Sequence, residues 1–490
     1  MELEKFEQAK KVKEKNKNIV DLSSLNLDQL EAFNTLRDYL SDKEDRSVYV
    51  IKGWAGTGKT YCISVLIRYV LEVMYSSHAW YKVAVTGPTN KSVRVIKKTA
   101  GIKNNRVTFQ TIHKLLGLKE KITQDGQQVF ENDGFLKPGI NSINLLIIDE
   151  VSMLNDDLFQ KIIKYRGKLK IICMGDPAQI PPVGRPDCIP FRDELSDFYN
   201  IKTIQLRKVM RQKDGNSIID VSVKIRSDLG SIQQVSPENL INNNGEGVEF
   251  LNLNNEDIRK GFSKILEGYF KTKEFNDDSE YAKVIAWRNK TVASMNSLIR
   301  KVLYGDESLS SKILVGEKLI ANTPIIDGET IVFNTNDEFT VEKFDIKSKD
   351  HRFKISDDPD EELFEISLKY YSTTVSYFNE DDDRERKVIS ILHEDSGNDF
   401  NKLGNILKLR AIRNGGKDKT WIQYYNFLRR FADVSYAYAI TCHKSQGSTY
   451  NTAFVLEDDI NMNFDIIERN RIKYTAYTRA SKKVYVLKRF

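Results

Sequence analysis

The stretch that most constrains this chain is 47–60, SVYVIKGWAGTGKT, in which a short apolar run feeds into Gly53, Trp54, Ala55, Gly56, Thr57, Gly58, Lys59 and Thr60. This fills the pattern G-x-x-x-x-G-K-[ST], a P-loop. Its glycines let the backbone turn tightly and bring N–H groups up to an anion, and the apolar helix that follows, YCISVLIRYVLEV, adds the positive end of its dipole. Phosphate fits such a cradle. Lys59 supplies a point charge for terminal phosphates, and the Thr60 hydroxyl supplies a ligand for Mg²⁺. A Gly-rich loop without a nucleotide is the competing reading, and the strand, loop, helix order weighs against it.

At 490 residues the chain has room for about three domains on the ~150-residue prior, each with its own core. Lys and Arg total 75 against 69 Asp and Glu, a net +6 that permits nucleic acid as a partner without demanding it. The four cysteines (Cys62, Cys173, Cys188, Cys442) lie far apart and the five histidines form no ligand-spaced cluster. Neither a disulfide framework nor a zinc site is expected, and a reducing cytoplasm is the expected setting. No apolar run of 18 residues occurs, so no membrane partner is expected, and the Lys- and Glu-rich start has no apolar signal core.

Ahead of the P-loop, the charged lead EKFEQAKKVKEKNKNIV reads as a solvated helix face or a nucleic-acid arm. In LNLDQLEAFNTLRDYL, Leu27, Leu30, Phe33, Leu36 and Leu40 form the expected buried face, with Gln29 standing off it. The Gln29 amide either reads the matching edge of adenine or is a plain surface glutamine. A second apolar strand ends in Thr86, Gly87, Pro88, Thr89 and Asn90, residues suited to phosphate contacts. TFQTIHKLLG offers Thr111 and His113. Two strand-like runs around Asp125-Gly126 predict an inserted β-hairpin.

NLLIIDEVSM ends an apolar run in Asp149 and Glu150 about ninety residues after the P-loop. There Asp149 suits Mg²⁺, and Glu150 suits orienting or deprotonating water. In LKIICMGDPAQIPPVG, Gln179 is placed to touch the γ-phosphate or that water; Arg211 in LRKVMRQ, taken alone, is a surface arginine.

The second half restarts αβ alternation with a strand running to Trp287, a turn at Asn289 and an amphipathic helix. Trp287 either stacks on a base or fills the core. From about Ile313 to Asp395, short alternating runs between acidic turns (Asp357 to Glu362, Glu380 to Asp383) predict a small β-barrel. NKLGNILKLRAIRNGGKDKTWIQYYNFLRRF reads as helical on both sides of Gly415-Gly416, and 432–490 returns to αβ signals.

Gln29, the P-loop, TGPTNKS, TIH, IIDE, GDPAQIPPVG, LRKVMRQ, TCHKSQGS and YTAYTRA follow one another in an order that resembles the superfamily 1 helicases. Within them it resembles the B subgroup of Dda-type and RecD-like enzymes, over nearly the whole chain. The resemblance implies an α/β fold of two RecA-like parallel-sheet domains facing each other across one ATP. Residues 1–200 would form the first domain, with a hairpin pin at about 116–142. Residues 201–311 plus 432–490 would form the second, and 312–431 an inserted SH3-like β-barrel and helical tower.

The resemblance assigns Lys59, Thr60, Asp149, Glu150 and Gln179 to one half of an ATP and Mg²⁺ site, and Arg211 and Arg479 to the other. It assigns Pro88, Thr89, Asn90, Thr111, His113, Trp287, Asn289, His443 and Lys444 to a DNA path, and has Gln446 and Gly447 connect that path to the phosphates. Phe130 stands where such enzymes carry the aromatic of a strand-separating wedge; anchoring the hairpin is its other reading. Gly87, where many relatives carry Ala, and Trp54 inside the P-loop are departures that remove no required group. The implied activity is DNA-dependent ATP hydrolysis with 5′ to 3′ translocation and unwinding. Alternatives are an RNA helicase, or an ATP-switched single-strand-binding or recombination-mediator protein. Implied partners are single-stranded DNA and fork junctions, with single-strand-binding, replication or recombination proteins as candidates, for a monomer in the cytoplasm, that of a host cell if the chain is phage-encoded.

Overall fold

Among the described residues, eight strands fall before residue 207: β1 (Val48–Gly53), β2 (Val83–Gly87), β3 (Val107–Thr111), β4 (Leu118–Ile122), β5 (Gln128–Asn132), β6 (Leu145–Ile148), β7 (Lys170–Gly175) and β8 (Ile201–Leu206). Six of them form a sheet in the order β3-β2-β6-β7-β1-β8, parallel at every pairing. Their near-continuous apolar runs are what a sheet covered on both faces requires. One face packs with Phe33, Leu36, Leu66 and Met174, and the other with Ile112, Leu146, Phe159 and Ile171. All six strands point the same way, so the turns after β1, β2, β6 and β7 gather at one edge. That carboxyl edge is where doubly wound sheets bind ligands.

The structure, a computed structural model, describes residues 20–489 apart from 124, 133–137, 167–168, 183, 211–216, 232–237, 328–329, 354–363, 380–382 and 414–419. The charged lead, the acidic turn at 357–362, Gly415-Gly416 and most of the 380–383 turn lie outside the described residues. Two compact units emerge: Met1–Leu118, Asn132–Leu251 and Ser445–Lys488 in one, and Lys119–Glu131, Asn252–Lys444 and Arg489–Phe490 in the other. These cuts differ from the expected division, since the hairpin residues group with the second unit and 201–251 with the first.

The first unit also holds Tyr450–Leu456 paired in parallel with Ala480–Lys488, beside the antiparallel pair Leu240–Ile241 and Gly247–Asn252. In the second unit, Ala282–Ala286 pairs in parallel with Ala439–Thr441. Parallel α/β architecture thus recurs beyond the first sheet.

The second unit's antiparallel sheet runs Arg384–Leu392, Phe364–Phe378, Glu338–Phe353, Lys318–Ala321 and Val434–Tyr436. The expected run DEFTVEKFDI from Glu338 on and the described start of HRFKIS, 351–353, are one strand of 16 residues, and FEISLKYY opens another of 15. They are longer than the alternation suggested because the polar stretch at 345–350 stays paired residue by residue. Helices Gly397–Arg413 and Thr420–Leu428 cover one end of the sheet through Leu368, Leu403, Leu407, Phe427 and Phe431.

One helix corrects its expected face. In Leu27–Ser41, Leu27 is 74% exposed and Gln29 is 1% exposed. Gln29, Phe33, Leu36 and Leu40 stand at i, i+4, i+7 and i+11, so the glutamine belongs to the stripe from which it was excluded.

Candidate active site

The P-loop leaves β1 and enters the helix Lys59–Tyr69 through Gly56 at φ +82° and Gly58 at φ +75°. A side chain is excluded at Gly53 as well, where a Cβ would lie 2.7 Å from Thr57 Oγ1. Lys59 Nζ donates to Gly53 O at 2.5 Å and Trp54 O at 3.1 Å, which holds the ammonium over the loop. Gln29 closes the loop from below. Its Nε2 donates to Thr57 O at 3.0 Å, while its Oε1 accepts from Asn26 N–H in a capping box.

Asp149 and Glu150 follow β6. The Asp149 carboxylate accepts from Glu150 N–H at 2.8 Å, and Glu150 is one of the few non-glycine residues at positive φ, +50°. Such a conformation costs of order 1–3 kcal/mol and persists where surrounding contacts impose it. Burial, and then the Glu150 charge, push the Asp149 carboxyl up to about 7.

Thr60, Asp149, Glu150, Gly447, Ser448 and Arg479 line one pocket. Arg479 is held by Thr475 O at 3.2 Å and Ser448 O at 3.2 Å. Gln179 is buried and its Oε1 has no hydrogen-bond partner; Ser448 Oγ is likewise buried and unpartnered. The orphaned Ser448 oxygen in this pocket, together with a cradle that tolerates no Cβ, fits a phosphate ester with its divalent cation. Among the described residues, no cluster of His, Cys, Asp and Glu forms a protein-only metal site. Thr60 and Asp149 would therefore hold Mg²⁺ together with phosphate oxygens.

Three side chains not singled out from sequence complete the loop's surroundings. Asp176 Oδ2 accepts from Ala55 N–H at 3.0 Å and from Tyr474 OH at 2.6 Å, tying the P-loop to the YTAYTRA helix. The Arg226 guanidinium lies 3.9 Å from the Trp54 ring centre, so the unusual loop tryptophan serves as a cation–π platform. Asp176 and Tyr474 sit inside motifs already quoted, whereas nothing local marks Arg226. Arg211 lies outside the described residues.

The expected DNA-path residues fall into two groups. Pro88, Thr89 and Asn90 follow β2, Thr111 ends its neighbour β3 and His113 follows it, with Gly87 opposite Thr111 in the register. Thr89 and Thr111 each cap the helix that follows them. Burial lowers the His113 pKa, which favours a neutral ring. Gly447, at φ +73°, packs where a Cβ would lie 2.9 Å from Ser92 Cβ, and Gln446 Nε2 donates to Ile180 O at 3.0 Å. Motif TCHKSQGS thus touches both the Thr89 helix and the Gln179 turn.

The second group lies in the other unit. Trp287 and Asn289 follow Ala282–Ala286, and His443 and Lys444 follow the adjacent strand Ala439–Thr441, with Ala286 opposite Thr441. Trp287 is half-buried and Asn289 exposed.

The hairpin β4–β5 turns at Asp125-Gly126. Its tip rests on the helix Thr420–Leu428: Tyr425 OH donates to Gly126 O at 2.8 Å, and the Trp421 ring lies where a Gly126 Cβ would be 2.6 Å away. Arg429 pairs with Glu120. Phe130 keeps 47% of its surface exposed.

The AAA domain family matches residues 24–243, and the UvrD-like helicase C-terminal domain family matches 436–487. The ATP-dependent DNA helicase dda of Enterobacteria phage T4 is 25% identical over 93% of this chain and 98% of its own length. By these matches the chain is similar to the superfamily 1B helicases over nearly its whole length. Protein R530 of Acanthamoeba polyphaga mimivirus is 28% identical over 92% of this chain and 97% of that protein. The Pif1 helicase structure from Candida albicans overlaps 94% of each chain at 16% identity and a TM-score of 0.46, too low to add to the fold read above.

Proposed function

We propose that the protein is an ATP-dependent DNA helicase that moves 5′ to 3′ on single-stranded DNA and opens duplex ahead of it. The observation that carries this reading is the pocket in which Thr60, Asp149, Glu150, Ser448 and Arg479 converge, entered from the P-loop by way of Lys59, the residue before Thr60. Lys59 and Arg479 neutralise charge that grows on the phosphates during transfer. Glu150 takes the proton of the attacking water, which Gln179 orients through its free acceptor. Mg²⁺ held by Thr60 and Asp149 would shield the phosphate oxygens from one another.

The dda relative supports the DNA helicase activity, and the 5′ to 3′ habit of the subgroup that the motifs resemble supports the polarity. Residues 88–90, 111 and 113 in one unit, and 287, 289, 443 and 444 in the other, would carry backbone and base-face contacts. In the same reading the braced hairpin is the wedge that parts the strands, with Phe130 stacking on the terminal base. The test is strand displacement on duplexes with 5′ or 3′ single-stranded tails. ATP-dependent opening of the 5′-tailed duplex alone, abolished by Lys59→Ala, is expected. Opening of the 3′-tailed duplex would overturn the polarity, and turnover retained in Lys59→Ala would overturn the site.

A further inference from the structure

Lys444 is not a loose surface lysine. Its Nζ donates to Asn322 Oδ1 at 2.9 Å, and burial lowers its pKa. Asn322 follows strand Lys318–Ala321, which leads into the antiparallel sheet, and Asp433 precedes Val434–Tyr436, which leads out of it. These two strands pair, Ala321 opposite Val434 and Leu319 opposite Tyr436. Asn322 N–H also donates to Asp433 O at 2.9 Å, so the asparagine is fixed at the neck of the insertion.

The amide is fixed in rotation as well. Asn322 Nδ2 donates to Asp433 Oδ1 at 2.9 Å and to Ser435 Oγ at 2.8 Å. A carboxylate accepts only and an ammonium donates only, so with Asp433 on one side and Lys444 on the other, just one of the two amide orientations satisfies both. Asn322 Oδ1 is thereby presented to the lysine.

We infer that Asn322 is a positioning residue for nucleic-acid binding: held by Asp433 and Ser435, it sets the Lys444 ammonium where a backbone phosphate of the bound single strand meets it. The inference rests on the DNA-path reading of Lys444. A lysine stem has several rotatable bonds, and an ammonium already held in place loses less freedom when the phosphate arrives. Asn322 is neutral, so it orients the charge without cancelling it, and the Asp433 carboxylate on the far side of the amide supports the ammonium's charge against the effect of burial. The neck of the inserted sheet thus bears directly on the strand's grip.

The test measures binding of a fluorescent dT oligonucleotide across a salt series by the full-length protein, for Asn322→Ala, Lys444→Ala and the double variant. Asn322→Ala is expected to raise Kd about tenfold, to lower the slope of log Kd against log salt by ~0.7, the share of one phosphate, and to leave DNA-free ATPase and thermal midpoint unchanged. Lys444→Ala is expected to lower the slope equally, and the double variant to bind no more weakly than Lys444→Ala. A purely structural asparagine would move the midpoint and leave the slope. Wild-type Kd and slope in Asn322→Ala, with Lys444→Ala impaired, overturns the positioning role alone. Wild-type binding by Lys444→Ala overturns the DNA-path reading of that lysine, and the positioning role with it.

Discussion

Gln29 has every polar atom of its side-chain amide committed inside the protein, Oε1 to the cap of its own helix and Nε2 to the P-loop carbonyl of Thr57. A nucleobase contact would have to compete with a brace already in place. Gln29→Glu keeps the acceptor that a capping box needs and removes the donor to Thr57 O. The expected result is an unchanged helix by circular dichroism and a KM for ATP raised about tenfold, from loss of one buried hydrogen bond at the loop. An unchanged KM would mean that the loop holds its shape without the amide. The individual residues of the P-loop were readable in sequence because glycine and lysine at fixed spacing act through their own backbone. Gln29 was misplaced because its side was judged by contrast with leucines rather than by helical angle. Arg226 was invisible because its partner, Trp54, is distant in the chain.

At the scale of elements, the hairpin shows why a strand pair can be read locally while its purpose cannot. Asp125-Gly126 announced the turn, and Gly126 takes φ +82° as such turns require. The helix it leans on begins at Thr420, nearly three hundred residues later, so no local pattern could announce the contact. An isolated two-stranded hairpin is marginal in water, and Tyr425, Trp421 and Arg429 supply what it lacks. A wedge must be stiff to oppose stacking worth ~1.4 kcal/mol per base-pair step. Phe130→Ala and Tyr425→Phe are therefore expected to slow duplex unwinding several-fold while single-strand translocation and DNA-stimulated ATPase hold near wild type. Equal losses in all three rates would assign both residues to general stability. The long strands at 338–378 were read as several shorter ones for a related reason. Their polar middle breaks the apolar alternation, while backbone pairing with the neighbouring strand does not depend on it.

On the scale of the whole molecule, the motif order predicted two RecA-like parallel-sheet domains with two insertions, and the chain groups into two compact units whose cuts do not follow that division. The reason lies in the last segment. Residues 445–488 carry Gly447, Ser448 and Arg479 into the pocket of Thr60 and Asp149, and helix Ile466–Tyr477 bonds to Asp176 through Tyr474. Every residue lining that pocket belongs to the first unit, whose cores are built around Phe33 and Phe159, whereas the second unit has cores of its own around Phe339 and Phe427. A ligand stabilises only the cooperative unit that binds it, by about 2.7 kcal/mol at a hundred times its Kd. A non-hydrolysable ATP analogue with Mg²⁺ is therefore expected to protect peptides of 48–206 and 445–488 against hydrogen exchange from the globally unfolded state and to raise the corresponding calorimetric transition. Exchange of the strands at 318–392 should be unaltered by it. A dT oligonucleotide, whose proposed contacts fall in both units, should shift both sets. Equal protection of both by the nucleotide alone would mean that the two units unfold as one, and would move the boundary of cooperativity away from the boundary of packing.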